Sequence, residues 1–283
     1  MTMGVAIALT LMATMSTGCS NDNEKKPEPV ICPVEPPTSL ELTRAELQLV
    51  NSTNDFSFNL FRTAQDDTEE QPKSLILSPL SITFALGMLN NGASGETQRQ
   101  INEVLGFGET GANSINAFCY KMLARASTLD PQTKVMTANT IYVNKPYELQ
   151  ADFTAKAKTY YDAEPESRDF HDGQTLDVIN RWAADHTEQM IQEVLNKQTF
   201  SSNAVSYLLN AIYFKGVWAT TFDKAQTVTE VFEHAGYTKD LTYCEMMHKA
   251  DTLAYAENDS YQALNLPYGN GSFQMTVLLP KRR

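Results

Sequence analysis

The sequence predicts an α+β fold, with helical patterns gathered in its first two-thirds and strand patterns in its last third. Three observations carry that expectation. Apolar residues recur at helical spacing in successive segments from Phe56 to Leu195. Val205 to Phe214 (VSYLLNAIYF) is an almost unbroken apolar, β-branched and aromatic run. Strand-like stretches then close the chain, the last two joined by the turn-forming Tyr268-Gly269-Asn270-Gly271.

Taken in order, Phe56 and Leu60, with Phe58 and Phe61 nearby, predict a helix with one buried face. Leu75-Ile76-Leu77 predicts a short buried strand. Ser78-Pro79 then starts a helix with Pro in its first turn, Ile82, Leu86 and Leu89 on one stripe, and Asn90-Asn91-Gly92 as its end. A further amphipathic helix is expected over about Thr97 to Leu105, terminated by Gly106. Helix is expected over Asn116 to Leu129, strand over Val135 to Val143, and helices over Leu149 to Tyr160 and Thr175 to Leu195. Val205 to Phe214 reads as a central strand buried on both faces and ended by Lys215-Gly216. Leu253 to Ala256, Tyr261 to Leu266 and Phe273 to Leu279 read as successive strands. Neither a repeat nor a second linker interrupts this order beyond Thr38, so one mixed domain is expected over residues 39–283.

The N-terminus differs. Gly4 to Met15 is apolar, too short to span a bilayer, and followed by Ser16-Thr17-Gly18 before Cys19. This pattern predicts a signal peptide over residues 1–18. The small-residue site before Cys19 resembles a lipobox, with Ser16 where an aliphatic residue is usual, and implies lipidation of Cys19. An ordinary cleaved signal leaving Cys19 free is the alternative. Residues 19–38 are polar and Pro-rich and predict an extended tether, so the protein is expected to be exported and lipid-anchored at the cell envelope or surface. Cys32, Cys119 and Cys244 remain, at spacings that define neither a disulfide framework nor a zinc site.

Composition and motifs narrow the function. The balance of 22 Lys and Arg against 34 Asp and Glu gives a net charge of −12, opposite in sign to a nucleic-acid binder. Gly106-Phe107-Gly108-Glu109-Thr110-Gly111 fits G-x-G-x-x-G, with Asp130 at about the spacing of a ribose-binding acid. It follows a helix where a dinucleotide fingerprint must follow a strand, so it reads as a helix-to-helix loop. Gly92-Ala93-Ser94-Gly95 is one residue short of a nucleophile elbow and reads as a turn. His171, His186, His234 and His248 have no metal-ligand spacing and no nucleophile motif beside them. The acidic pairs Asp66-Asp67 and Glu69-Glu70 fall in a polar loop. No catalytic residue, metal site or cofactor is expected, and the protein is not expected to be an enzyme.

Five segments in one order resemble the serpin family. They are Ser78-Pro79-Leu80-Ser81-Ile82 with the later Gly92 to Thr97; Ala138-Asn139-Thr140-Ile141-Tyr142-Val143; Ile179-Asn180-Arg181-Trp182-Ala183; Leu209-Asn210-Ala211-Ile212-Tyr213-Phe214-Lys215-Gly216-Val217-Trp218; and Leu264 to Tyr268 with Met275 to Pro280. The resemblance implies a serpin fold, with helices clustered around large mixed sheets A, B and C. It implies that Ser78, Ser81 and Asn210 form the polar shutter, with helix capping as the other role open to the serines, and that Trp218 is the breach tryptophan or a core tryptophan. It further implies inhibition of a serine or cysteine protease by a suicide mechanism, in which the cleaved reactive-centre loop inserts into sheet A. After Pro280 only Lys281-Arg282-Arg283 follow, so that loop is expected to lie outside this chain, and the chain alone is expected to aggregate or remain partly unfolded. The alternative implied is a non-inhibitory serpin fragment or binding module.

Overall fold

A computed structural model describes residues 36–66, 75–232 and 242–281. The signal segment 1–18, Cys19, Cys32, most of the 19–38 tether, the Glu69-Glu70 pair and His234 lie outside the described residues.

The first sheet has the order β2-β1-β3, from Ala163–Arg168, Lys134–Asn144 and Ser206–Lys215. Parallel β1 and β2 are joined through helix α5 (Ala151–Tyr161), the crossover that parallel strands require. Asp162 sits in the left-handed region at φ 48° and turns the end of α5 directly into β2. Helix α6 (Thr175–Asp185) then returns the chain to β3, which runs antiparallel to β1.

Side-chain alternation sorts two cores onto the two faces of this sheet. Ile141 and Val143 of β1, with Leu208 and Ile212 of β3, pack against α2 (Pro79–Asn90), α4 (Ala112–Ala126) and α5 through Phe84, Met88, Phe118, Phe153 and Tyr161. Tyr142 and Leu209 point the other way, onto Phe170 and Ile179. Helix α1 (Arg44–Asp66) adds Leu49 and Phe56 to the larger core, and α3 (Gly95–Val104) leads into it through Leu105. Each such large side chain, when fully buried, contributes about 1.5–3 kcal/mol.

A second, two-stranded sheet pairs β4 (Val228–Phe232) with β5 (Thr242–Met246). A third has the order β6-β7-β8, from Tyr255–Glu257, Tyr261–Tyr268 and Phe273–Pro280. The β7–β8 turn forms as the sequence predicts, with Gly269 and Gly271 at positive φ. Asp130 explains Gly269: a Cβ there would stand 2.0 Å from the Asp130 Oδ2. The amide of Asn270 and the hydroxyl of Ser272 both donate to the Leu129 carbonyl and hold the hairpin on the loop after α4.

Four expectations are corrected. Leu75-Ile76-Leu77 is not a buried strand: Ile76 is 94% exposed, and no strand among the described residues pairs with the segment. The deepest face of α2 is Thr83, Phe84, Gly87 and Met88, one position round from the expected stripe, whose Ile82 and Leu86 are only partly buried. The helix from Thr175 stops at Asp185. Gln189 N–H closes back on the Ala184 carbonyl, Glu188 and Gln189 adopt positive φ, and the Asn180 side chain binds the backbone of Val194 and Leu195, so the chain returns across α6. Finally, β1 holds the central place expected of β3, because β3 pairs along only one edge among the described residues. Its first half is still covered on both faces, whereas Phe214 and Lys215 are exposed.

Candidate functional site at the open edge of the first sheet

The strongest polar constellation lies where β1 and β3 face the helices. Asn139 and Asn210 are register partners across the two strands, and both belong to the sets that point toward α2, α4 and α5. Asn210 Nδ2 donates to Asn139 Oδ1 at 2.8 Å, and Asn139 Nδ2 donates to the backbone carbonyl of Tyr161 at 2.7 Å. The direction of this relay is set at one end. A carbonyl only accepts, so Asn139 must turn its NH₂ toward Tyr161 and its oxygen toward Asn210. Asn210 must then present its own NH₂ to Asn139. Its Oδ1 is left buried with no partner among the described residues.

An acceptor in that position costs about 1–3 kcal/mol unless a donor reaches it. The apolar run that identifies β3 thus carries, at Asn210, a polar atom that β1 and the helices do not satisfy. Among the described residues, the edge of β3 away from β1 has no neighbouring strand.

Ser78 and Ser81 stand at the start of α2, the helix that packs on β3. Their hydroxyls bind each other at 2.8 Å. Ser78 is the residue before the first helical position, but its side chain makes no capping hydrogen bond, so capping does not explain it. The structure brings the two serines together and brings Asn210 to Asn139. It records no hydrogen bond between the serine pair and Asn210.

Trp218 lies beyond the other end of β3. Ala219 N–H donates to the Pro267 carbonyl, Gly269 N–H donates to the Val217 carbonyl, and Trp218 pairs with Tyr268 at the end of β7. The two rings stack with centroids 4.4 Å apart, while Phe214 meets Tyr268 and Phe273 edge-on. Gly216 makes room for this cluster, because a Cβ there would stand 2.7 Å from the Tyr268 ring. Trp218 is half-buried among the described residues and joins the first sheet to the third.

The other candidate chemistry dissolves into structure. The G-x-G-x-x-G segment links α3 to α4, and the Asp130 carboxylate accepts from Gln132 N–H and the Thr133 hydroxyl. His186 stacks on Trp182, and His248 lies 3.3 Å from Glu230. Among the described residues, no group of His, Cys, Asp and Glu is arranged to hold a metal ion. No helix among them is long and apolar enough to cross a membrane. Sequence reading missed Asn139 as a site residue, and Tyr161 entirely. Asn139 stands among Thr137, Thr140 and Asn144 in the same strand, so its own sequence neighbourhood does not single it out. The Tyr161 carbonyl has no sequence signal.

Helices on both faces of a β2-β1-β3 sheet, a polar pair in its midst and an aromatic junction to a second sheet define a serpin-like architecture. The serpin (serine protease inhibitor) family model matches residues 51–283, and the chain belongs to that family. Neuroserpin of Gallus gallus is 30% identical over 234 residues, which cover 80% of this chain and 55% of that protein. Serpin B8 of Homo sapiens is 30% identical over 236 residues, covering 82% and 61%. Among solved structures, the reactive-loop-cleaved human thyroxine binding globulin matches with a TM-score of 0.75 at 26% identity, covering 83% of this chain and 69% of that one. The thermophilic serpin tengpin, in its latent state, matches at 0.73 and 27%, covering 87% and 63%. The chain spans about half to three-fifths of the length of the curated relatives it matches.

Proposed function

We propose that the protein inhibits a serine or cysteine protease as a suicide substrate. In this reading, the target protease attacks a reactive-centre loop and forms the usual acyl bond. The freed loop segment then enters the first sheet as a new strand beside β3, and the acylated protease is carried with it before hydrolysis completes. The catalytic nucleophile belongs to the target.

The observation that carries the reading is the serpin family match over residues 51–283, with Asn210 Oδ1 buried on the strand β3, one edge of which has no neighbour among the described residues. An inserted strand would satisfy the ladder of β3 and bring donors toward that oxygen. Ser78, Ser81 and Asn210 act in this scheme as the shutter over which the strand passes. Trp218 marks the breach, where insertion begins.

The N-terminal reading completes the proposal. Residues 1–18 are removed as a signal peptide, Cys19 carries lipid, residues 19–38 act as the tether, and the domain of residues 39–283 works outside the cell at an envelope or surface membrane. Changing Cys19→Ser should move the protein from the membrane fraction to the soluble exported fraction; unchanged membrane retention would remove the lipid anchor from the proposal.

The inhibitory reading is tested by incubating the intact protein, isolated from its native source, with trypsin-like, chymotrypsin-like, elastase-like and papain-like proteases. An SDS-stable adduct with at least one of them is expected. Cleavage with every protease left active would overturn inhibition in favour of a binding protein, the role that the name of thyroxine binding globulin gives that relative.

A further inference from the structure

The relay from Asn210 does not end at the Tyr161 carbonyl. Tyr161, the last residue of α5, is fully buried, and its hydroxyl continues on the other side. It donates to Asn116 Oδ1 of α4 at 2.8 Å. Asn116 and Asn91 then form a reciprocal amide pair, with bonds of 2.7 and 2.9 Å. Asn91 Nδ2 also donates to the Gly87 carbonyl in the last turn of α2.

The direction of this second arm is fixed too. Asn91 Nδ2 lies on carbonyls, so Asn91 Oδ1 faces Asn116 Nδ2, and Asn116 Oδ1 is left to accept from the phenol. Burial pushes the Tyr161 hydroxyl above the ordinary tyrosine range, which favours the neutral phenol that can donate. The surroundings allow little slack. A Cβ at Gly87 would stand 3.0 Å from the Tyr161 hydroxyl oxygen and 3.5 Å from Cys119 Sγ.

We infer that Tyr161 is a positioning residue: its carbonyl grips the β1–β3 pair through Asn139, its hydroxyl grips α4 and the end of α2, and together they hold the edge of β3 in register with the helical layer. This inference rests on the reading of that edge as the one that admits a strand. On this account, Tyr161 restrains local opening of the first sheet without setting the stability of the rest of the molecule.

Native-state hydrogen exchange of the intact protein, with no protease present, tests it. Tyr161→Phe removes one buried hydrogen bond and keeps the ring. Exchange in Lys134–Asn144 and Ser206–Lys215 should rise about tenfold, the equivalent of one such bond, while Tyr261–Tyr268 and Phe273–Pro280 keep their rates. Asn91→Ala, which cuts the same arm at its more accessible end, should give the same pattern more weakly, and it serves alone if the Phe variant does not fold. A uniform rise across both sheets, or no rise in the first, would overturn the inference. Because no protease enters the measurement, failure of the inhibitory reading appears only as absent adducts and not as a change in these rates.

Discussion

The first and third sheets share a design and differ in what covers them. Each places an apolar strand beside a neighbour with a polar pair across the two: Asn139–Asn210 in the first, and Asn265–Thr276 in the third, where the Thr276 hydroxyl donates to Asn265 Oδ1 at 2.7 Å. In the first sheet, helices cover both faces, and the pair becomes one link of a buried relay. In the third, nothing among the described residues covers most of β8, and Leu278 and Leu279 are each 59% exposed. The same chemistry is costly to leave unmatched in one sheet and almost free in the other, because water can replace a partner only where it has access.

Truncating one apolar side chain in each region should separate them most widely. Phe118→Ala in α4 should cost about 3–5 kcal/mol, enough to abolish cooperative unfolding in a marginal domain, whereas Leu278→Ala in the chain of residues 1–283 should stay within about 0.5 kcal/mol; denaturant titration of both variants of that chain measures the gap. Comparable losses at the two sites would remove the distinction between the sheets.

Most of the first region was legible because periodicity reports burial on a covered face. The helices ending at Asn90 and Tyr161 and the strand through Val143 all carry that signal. Strand β2 escaped it: AEPESR contains Pro165 and three charges, a composition tolerated only at a sheet edge, which is where β2 lies. The stop of α6 escaped because backbone N–H groups of Ile191, Val194 and Leu195 donate to the Thr187 and Asn180 side chains, and these bonds, not a Gly or Pro, turn the chain. Of the site, Ser78, Ser81, Asn210 and Trp218 were named through resemblance. The groups that Asn210 and Trp218 meet, Asn139, Tyr161 and Tyr268, come from elements distant in sequence, and no local pattern encodes them.

The one place where the third sheet is tightly held should behave like the first. Gly269→Ala sets a methyl group against Asp130 and strains a positive φ, and should cost about 1–3 kcal/mol. Thermal unfolding that leaves the midpoint unchanged would show that the hairpin is not seated on the Leu129–Asp130 loop. The polar pairs give the closest comparison. Asn139→Ala strands the half-buried Asn210 amide and should cost about 1–3 kcal/mol, while Thr276→Ala should cost about 0.5 kcal/mol or less. Equal costs would mean that water reaches both sheets alike.

The smallest effect concerns acid stability. The Thr43 N–H, then Lys121, hold the Glu46 carboxyl below its ordinary value of 4.5. A carboxyl depressed in the folded state stabilises the fold above its unfolded pKa, and that contribution is lost as pH falls through the folded value. For this partly exposed pair it amounts to less than about 1 kcal/mol. Glu46→Gln should therefore flatten the stability profile slightly below pH 4.5 and leave its slope near neutrality unchanged. A change confined to neutral pH would contradict the assignment.

The central claim is that β3 accepts one more strand along the edge that has no neighbour among the described residues. Limited proteolysis of the intact protein, followed by thermal unfolding of the cleaved product, tests it directly. If the cleaved loop enters beside β3 and satisfies Asn210, the fragments should stay associated and unfold at a clearly higher temperature than the uncut protein. Fragments that separate, or that unfold together at the same or a lower temperature, would contradict it.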